Sequence, residues 1–243
     1  MYQNNLTSQR LKSLSVLKSV NVAGTVIPVS DKVKILGATL DYNVTQKLSS
    51  YCFCHIRSLK QIRSSLDDTM AGSAASWLVS SRLDYANSIL YGTLLKNINR
   101  LQRLQHSLAT VVIHRRSHAL LSATALLKQF HWLPVEWCIQ FKLATMTLHT
   151  GRPPYLTDQL QYYQPTRSLH SWGSHQLVKP RHNLFFGSCA FCISAPHICN
   201  SLPTSIHEAQ SILTFICDLK THYLQSAFST PIATHPPMRT DSF

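Results

Sequence analysis

The 243 residues are 44% apolar and only 14% charged, and 23 Lys plus Arg against ten Asp plus Glu give a net charge of +13. Ten carboxylates are thin material for two-metal phosphoryl transfer or glycoside hydrolysis. The closest pair of glycines, Gly24 and Gly37, is too far apart for a GxGxxG or P-loop cradle. No stretch approaches the ~20 apolar residues of a membrane helix, and the N-terminal MYQNNLTSQRLKSL lacks a signal-type apolar core. The seven cysteines are therefore expected as reduced thiols of an intracellular protein, with nucleus or cytoplasm left open.

In chain order, residues 1–20 form a polar segment without a sustained period. Val22–Ile27 and Val33–Leu40, separated by Pro28, read as two strands of one small β-hairpin within residues 21–42, with Gly37 suggesting a bulge. From Asn43 the period becomes helical: Leu48, Tyr51, His55, Leu59, Ile62 and Leu66 form the expected buried stripe. A second helix is expected from Asp68 to Tyr91, burying Met70, Ala74, Trp77, Leu78 and Leu83 and stopping near Gly92. A third, from Lys96 to Ile113, buries Ile98, Leu101, Leu104, Leu108 and Val112. Two more follow at 119–130 and 135–150, parted by Trp132, Leu133 and Pro134, which closes a helical bundle at 43–150. Residues 151–228 read as an irregular, partly helical region. It contains a loop to 182 with a strand-like Gln176–Val178, a helix near Phe186–Ile193 and a helix from Ser211 to Phe228. Residues 229–243 read as a disordered tail. The fold class expected is mainly α with a small N-terminal hairpin.

Chemistry-bearing constellations are scarce. Asp67 and Asp68 are an adjacent acidic pair, but neighbouring helical residues diverge by about 100°. Their place before a helical run makes them capping residues. Cys189, Cys192, His197 and Cys199 resemble a zinc knuckle until the last ligand, where Leu202 stands, so packing in an apolar stretch is the reading taken. Cys52 and Cys54 suit no metal or redox motif, and His114 and His118 lack a third partner. No catalytic residue, metal, cofactor or small-molecule substrate is indicated.

The charge is uneven: residues 1–130 hold 16 Lys/Arg and 5 Asp/Glu, whereas residues 131–243 hold 7 and 5. A +11 half suits a polyanion, so an RNA or DNA backbone is the expected partner. Lys96, Arg100 and Arg103 share one helix face, Arg115 and Arg116 extend it, and Arg57, Lys60 and Arg63 supply a second strip. No aromatic is interleaved in these runs, so stacking on bases is not expected.

Seven strings resemble the reverse transcriptases of LINE-type, non-LTR retrotransposons, of the jockey and chicken-repeat group: VKILGATLD (33–41), SRLDYANSILYG (81–92), NRLQRLQHSLATVV (99–112), FHWLPVEWCIQFKL (130–143), PPYLTDQLQYYQPTRSL (153–169), APHICNSLP (195–203) and SILTFICDLKTHYLQSAF (211–228). They stand in the family's order over roughly residues 20–228. The resemblance implies the end of the palm with its primer-grip hairpin, a helical thumb and a C-terminal extension. It also implies what is missing: the aromatic-Ala-Asp-Asp motif, the earlier aspartate and the endonuclease. Cys199 stands where relatives commonly carry Trp. The expectation is a non-catalytic remnant of an RNA-directed DNA polymerase, able at most to bind nucleic acid without sequence preference. The alternative is an orphan or co-opted helical protein–protein module.

Overall fold

The computed structural model describes residues 19–22, 24–28, 32–35, 38–41, 44–113, 122–148, 154–163, 176–181 and 189–229. The expected polar segment (to residue 18), the tail from residue 230, Gly37, His114, His118, Arg115 and Arg116 lie outside the described residues. The chain divides into two compact units at Val44/Thr45.

In the first unit, strands β1 (Ser19–Val22) and β2 (Thr25–Pro28) pair antiparallel, as do β3 (Lys32–Ile35) and β4 (Ala38–Asp41). This corrects the single hairpin expected from the sequence, in which one β-branched run would pair with the other. Each run instead folds back on itself. Gly24, at φ +85°, supplies the left-handed residue that a two-residue turn between Val22 and Thr25 requires.

The second unit is helical, so the mainly α class holds. Helix α1 (Val44–Ile62) ends in a 3-10 turn, Arg63–Ser65. Asp67 then caps α2 (Asp68–Ala75), its carboxylate accepting from the Met70 N–H at 2.7 Å. The cap expected of this acidic pair is therefore Asp67, worth about 1 kcal/mol. The expected long second helix is broken. A π-helical turn, Ser76–Ser80, leads into α3 (Ser81–Asp84) and the chain leaves the helix at Tyr85. Ala86 is left-handed, a 3-10 turn covers Asn87–Leu90, and Gly92 follows at φ +72°.

Helix α4 (Leu95–Val112) is the central element. Its five expected core positions, Ile98, Leu101, Leu104, Leu108 and Val112, are all buried, each such leucine contributing about 1.5–3 kcal/mol. It packs on α2, on α5 (Ala123–Gln129) and on α6 (Val135–Leu148). Two of its carboxamides hold the start of α6. Gln105 Nε2 donates to the Leu133 carbonyl at 2.8 Å, and Gln102 Oε1 accepts from the Val135 N–H at 2.9 Å. Phe130 and Trp132 stack beside them.

A one-turn helix, α7 (Pro154–Thr157), is followed by an isolated bridge between Tyr162 and Leu177. The Asn200 side chain clasps Leu177 by both its N–H and its carbonyl, at 2.8 Å each. Of the helix expected over Phe186–Ile193, residues 186–188 lie outside the described residues, and α8 (Phe191–Cys199) runs on past Ile193. Helix α9 (Thr204–His207) is not expected from the sequence, whereas α10 (Ile212–Ser229) falls where a helix is expected. Helix α6 packs on both α8 and α10, so segments on either side of residue 150 share one core, with Phe215, Leu219 and Tyr223 buried in it.

Two expected faces are corrected. On α1 the buried residues are Ser49, Cys52, Ile56, Leu59 and the adjoining Arg63, while Tyr51 and Ile62 are exposed. On α2 and its continuation Ala71, Ala75, Val79 and Leu83 are buried, while Met70 and Trp77 are exposed, Trp77 by 79%. Small alanines let α2 approach α4 closely, and the π turn rotates the residues after it.

Candidate nucleic-acid interface

Helices α1 and α4 contain six basic residues between them, Lys47, Arg57, Lys60, Lys96, Arg100 and Arg103, and no carboxylate. They border a groove of about 340 Å3 lined by Ser49, Ser50 and Phe53 of α1 and by Arg100 and Arg103 of α4. Ser50, Phe53, Arg57 and Lys60 follow one another at spacings of three and four residues, so one flank of α1 presents all of them. Lys96, Arg100 and Arg103 lie on the facing flank of α4.

The basic residues differ in what they do. Lys96, Arg57, Lys60 and Arg103 are exposed and Arg100 is half-buried. Arg103 Nε donates to the Asn99 carbonyl at 3.3 Å, one turn back along its own helix. Arg100 Nη1 is shut off from solvent and has no hydrogen-bond partner. A guanidinium nitrogen in that state forgoes both water and an acceptor, which costs free energy unless an acceptor arrives.

Arg63, expected among the phosphate-facing residues, is a structural group. It is buried and donates from Nε and Nη2 to the Val112 carbonyl at 2.9 and 2.7 Å, and from Nη1 to the Leu66 carbonyl at 2.6 Å. Nη2 also pairs with Asp68. Val112 is the last residue of α4, and helix ends leave such carbonyls without an intrahelical donor. The guanidinium fork fills that need, so Arg63 faces inward. Arg115 and Arg116 lie outside the described residues.

The expectation that no aromatic stands among the basic residues is also corrected. Phe53 is 48% exposed and lines the groove opposite Arg100 and Arg103. The spacing Phe53–Arg57–Lys60 places the ring on the basic flank of α1, but its approach to Arg100 and Arg103 is set by the meeting of two helices.

Three thiols of the helical unit are held protonated by burial. Burial pushes the Cys52 thiol up to about 11, partly opposed by the Arg82 guanidinium, and burial likewise pushes Cys138 and Cys199 to about 12. Protonated thiols are poor nucleophiles and poor ligands. Among the described residues no group of three His, Cys, Asp or Glu could hold a metal ion. Cys199 is buried on α8, whereas His197, two residues before it, is exposed. No described helix is long and apolar enough to cross a membrane.

No family model, curated protein or solved structure matches the chain.

Proposed function

We propose that this chain is a non-catalytic nucleic-acid-binding piece resembling the thumb and C-terminal extension of a LINE-type reverse transcriptase, and that it binds phosphate backbone through the α1–α4 groove. The observation that carries the binding reading is the pairing of two carboxylate-free helices across Arg100 and Arg103, with Arg100 Nη1 lacking an acceptor. The ancestry rests on the seven ordered strings from VKILGATLD to SILTFICDLKTHYLQSAF. The absence of an aromatic-Ala-Asp-Asp string from the sequence supports inactivity, since nucleotide addition needs carboxylates that hold divalent metal. Binding through a basic groove is electrostatic and falls steeply with salt.

Filter binding across a salt series tests this. Changing both Arg100→Ala and Arg103→Ala is expected to shallow the slope of log K against log salt by about one or two units. An unchanged slope would mean that these residues only solvate their helix, and the binding reading would fall.

A second reading, a helical protein–protein module, is favoured by the exposed apolar side chains Ile62, Met70 and Trp77. Exposed large apolar groups mark interaction surfaces when contiguous. It predicts concentration-dependent association that Trp77→Ala weakens, measured by sedimentation.

A further inference from the structure

We propose that the α1–α4 groove takes single-stranded nucleic acid, one base stacking on Phe53 while the adjoining phosphate is held by Arg100 and Arg103. The inference rests on the nucleic-acid reading above and adds to it a strand state and a mode of contact. Three observations converge on it. Phe53 is 48% exposed, although the helix it belongs to buries the far smaller Cys52 completely. The ring lines the same groove as the two arginines. Arg100 lines the groove while its Nη1 is buried without a partner, so a turn of the guanidinium toward a phosphate oxygen would satisfy that nitrogen.

The exposed ring decides between duplex and single strand. The groove of about 340 Å3 has room for a nucleotide, and the bases of a double helix are stacked on each other and unavailable to the Phe53 ring. A single strand offers both an unstacked base and a phosphate within one nucleotide. Every base has a π-face, so this contact discriminates strand state and not sequence.

The test uses the full chain and four 20-nucleotide probes: oligo-dT, oligo-U, an abasic strand of the same length and a duplex. The parent is expected to bind oligo-dT and oligo-U at least tenfold more tightly than the abasic strand or the duplex. Phe53→Ala should weaken binding to the base-bearing strands by about tenfold, the order expected for losing one stacked base. It should leave the abasic strand and the salt slope unchanged. Phe53→Trp should retain binding, and its added indole fluorescence should be quenched by oligo-dT and not by the abasic strand. Circular dichroism melting confirms that both variants fold. If Phe53→Ala and parent bind oligo-dT equally, or Phe53→Trp shows no base-dependent quenching, the stacking inference is overturned. The binding reading would survive that result provided the Arg100/Arg103 variant still shallows the slope. Equal affinity of the parent for duplex and single strand would also overturn the inference.

Discussion

Arg63 donates two hydrogen bonds, at 2.9 and 2.7 Å, to the carbonyl oxygen of Val112, 49 residues further along the chain. The end of α1 is thereby fastened to the end of α4. The bond partners are unequal in burial: the Arg63 side chain is 4% exposed and that of Asp68 is 83% exposed. The carbonyl contacts therefore dominate, and the ion pair, largely solvated on its acidic side, adds little.

Arg63→Ala is expected to lower stability by about 2–3 kcal/mol, since it leaves a buried carbonyl without its charged donor. Arg63→Lys should recover only part of this, because an ammonium cannot reproduce the planar fork. Asp68→Ala should cost less than about 1 kcal/mol. Urea unfolding measures all three. The salt slope of nucleic-acid binding should be the same in Arg63→Ala as in the parent, and a shallower slope would return Arg63 to the interface.

Gly92 sits at φ +72°, and a Cβ built there would lie 2.6 Å from Cys189 Sγ. Gly92→Ala therefore meets two separate penalties: a backbone conformation costing about 1–3 kcal/mol for an ordinary side chain, and a collision with the sulfur. Adding Cys189→Ala removes the second penalty and not the first. Thermal melts should show the double variant more stable than Gly92→Ala alone but still below Cys189→Ala. Two equally unstable glycine variants would show that the sulfur does not approach this position.

Burial raises the thiols of Cys52, Cys138 and Cys199 to between about 11 and about 12 from an ordinary 9.0. Unfolded, they ionise near 9.0, so between that pH and the folded values the unfolded chain binds fewer protons and stability falls as pH rises. Below 9 these groups impose no pH dependence. On the acid side, burial lowers the imidazoles of His106 and His222 from 6.5. The unfolded chain then takes up protons first, and stability falls as pH drops through about 6.5. Melting temperatures from pH 5 to 11 should trace a plateau with losses on both sides. Thiol labelling of the native protein at pH 8 should modify the exposed Cys54 and Cys217 first and leave the buried Cys52 and Cys199 until denaturant is added.

Helix α4 is legible in the sequence because its leucines and isoleucine keep a clean 3.6-residue period, which the buried Asn97 and Gln105 beside it do not interrupt. Helix α1 is legible in place but not in rotation. Its inward line includes Ser49, Cys52 and Arg63, and a period built on Leu, Tyr and Ile settles on the wrong side when an arginine serves as a cap. The same bias, that bulk goes inside, puts Met70 and Trp77 in the core where Ala71 and Ala75 belong. The π turn at Ser76–Ser80 has no composition signal, and the local strand pairing across Gly24 replaces the longer hairpin. Of the candidate interface, Lys96, Arg100 and Arg103 follow from spacing alone. The juxtaposition with Phe53 depends on which flanks of two helices meet, and the unpartnered state of Arg100 Nη1 depends on packing, so neither is written in any one segment.

The stretch from Phe130 to Pro134 is irregular, yet it is not a slack connector. Gln105 grips Leu133 and Gln102 grips Val135, from positions three residues apart on α4, so the two grips share one fixed spacing. Adding or removing a single residue there would slide both partners off their carboxamides together. Connector length at this point is thus as constrained as a core side chain, and in a scan of one-residue insertions this turn should behave like the interior of a helix and not like a surface loop.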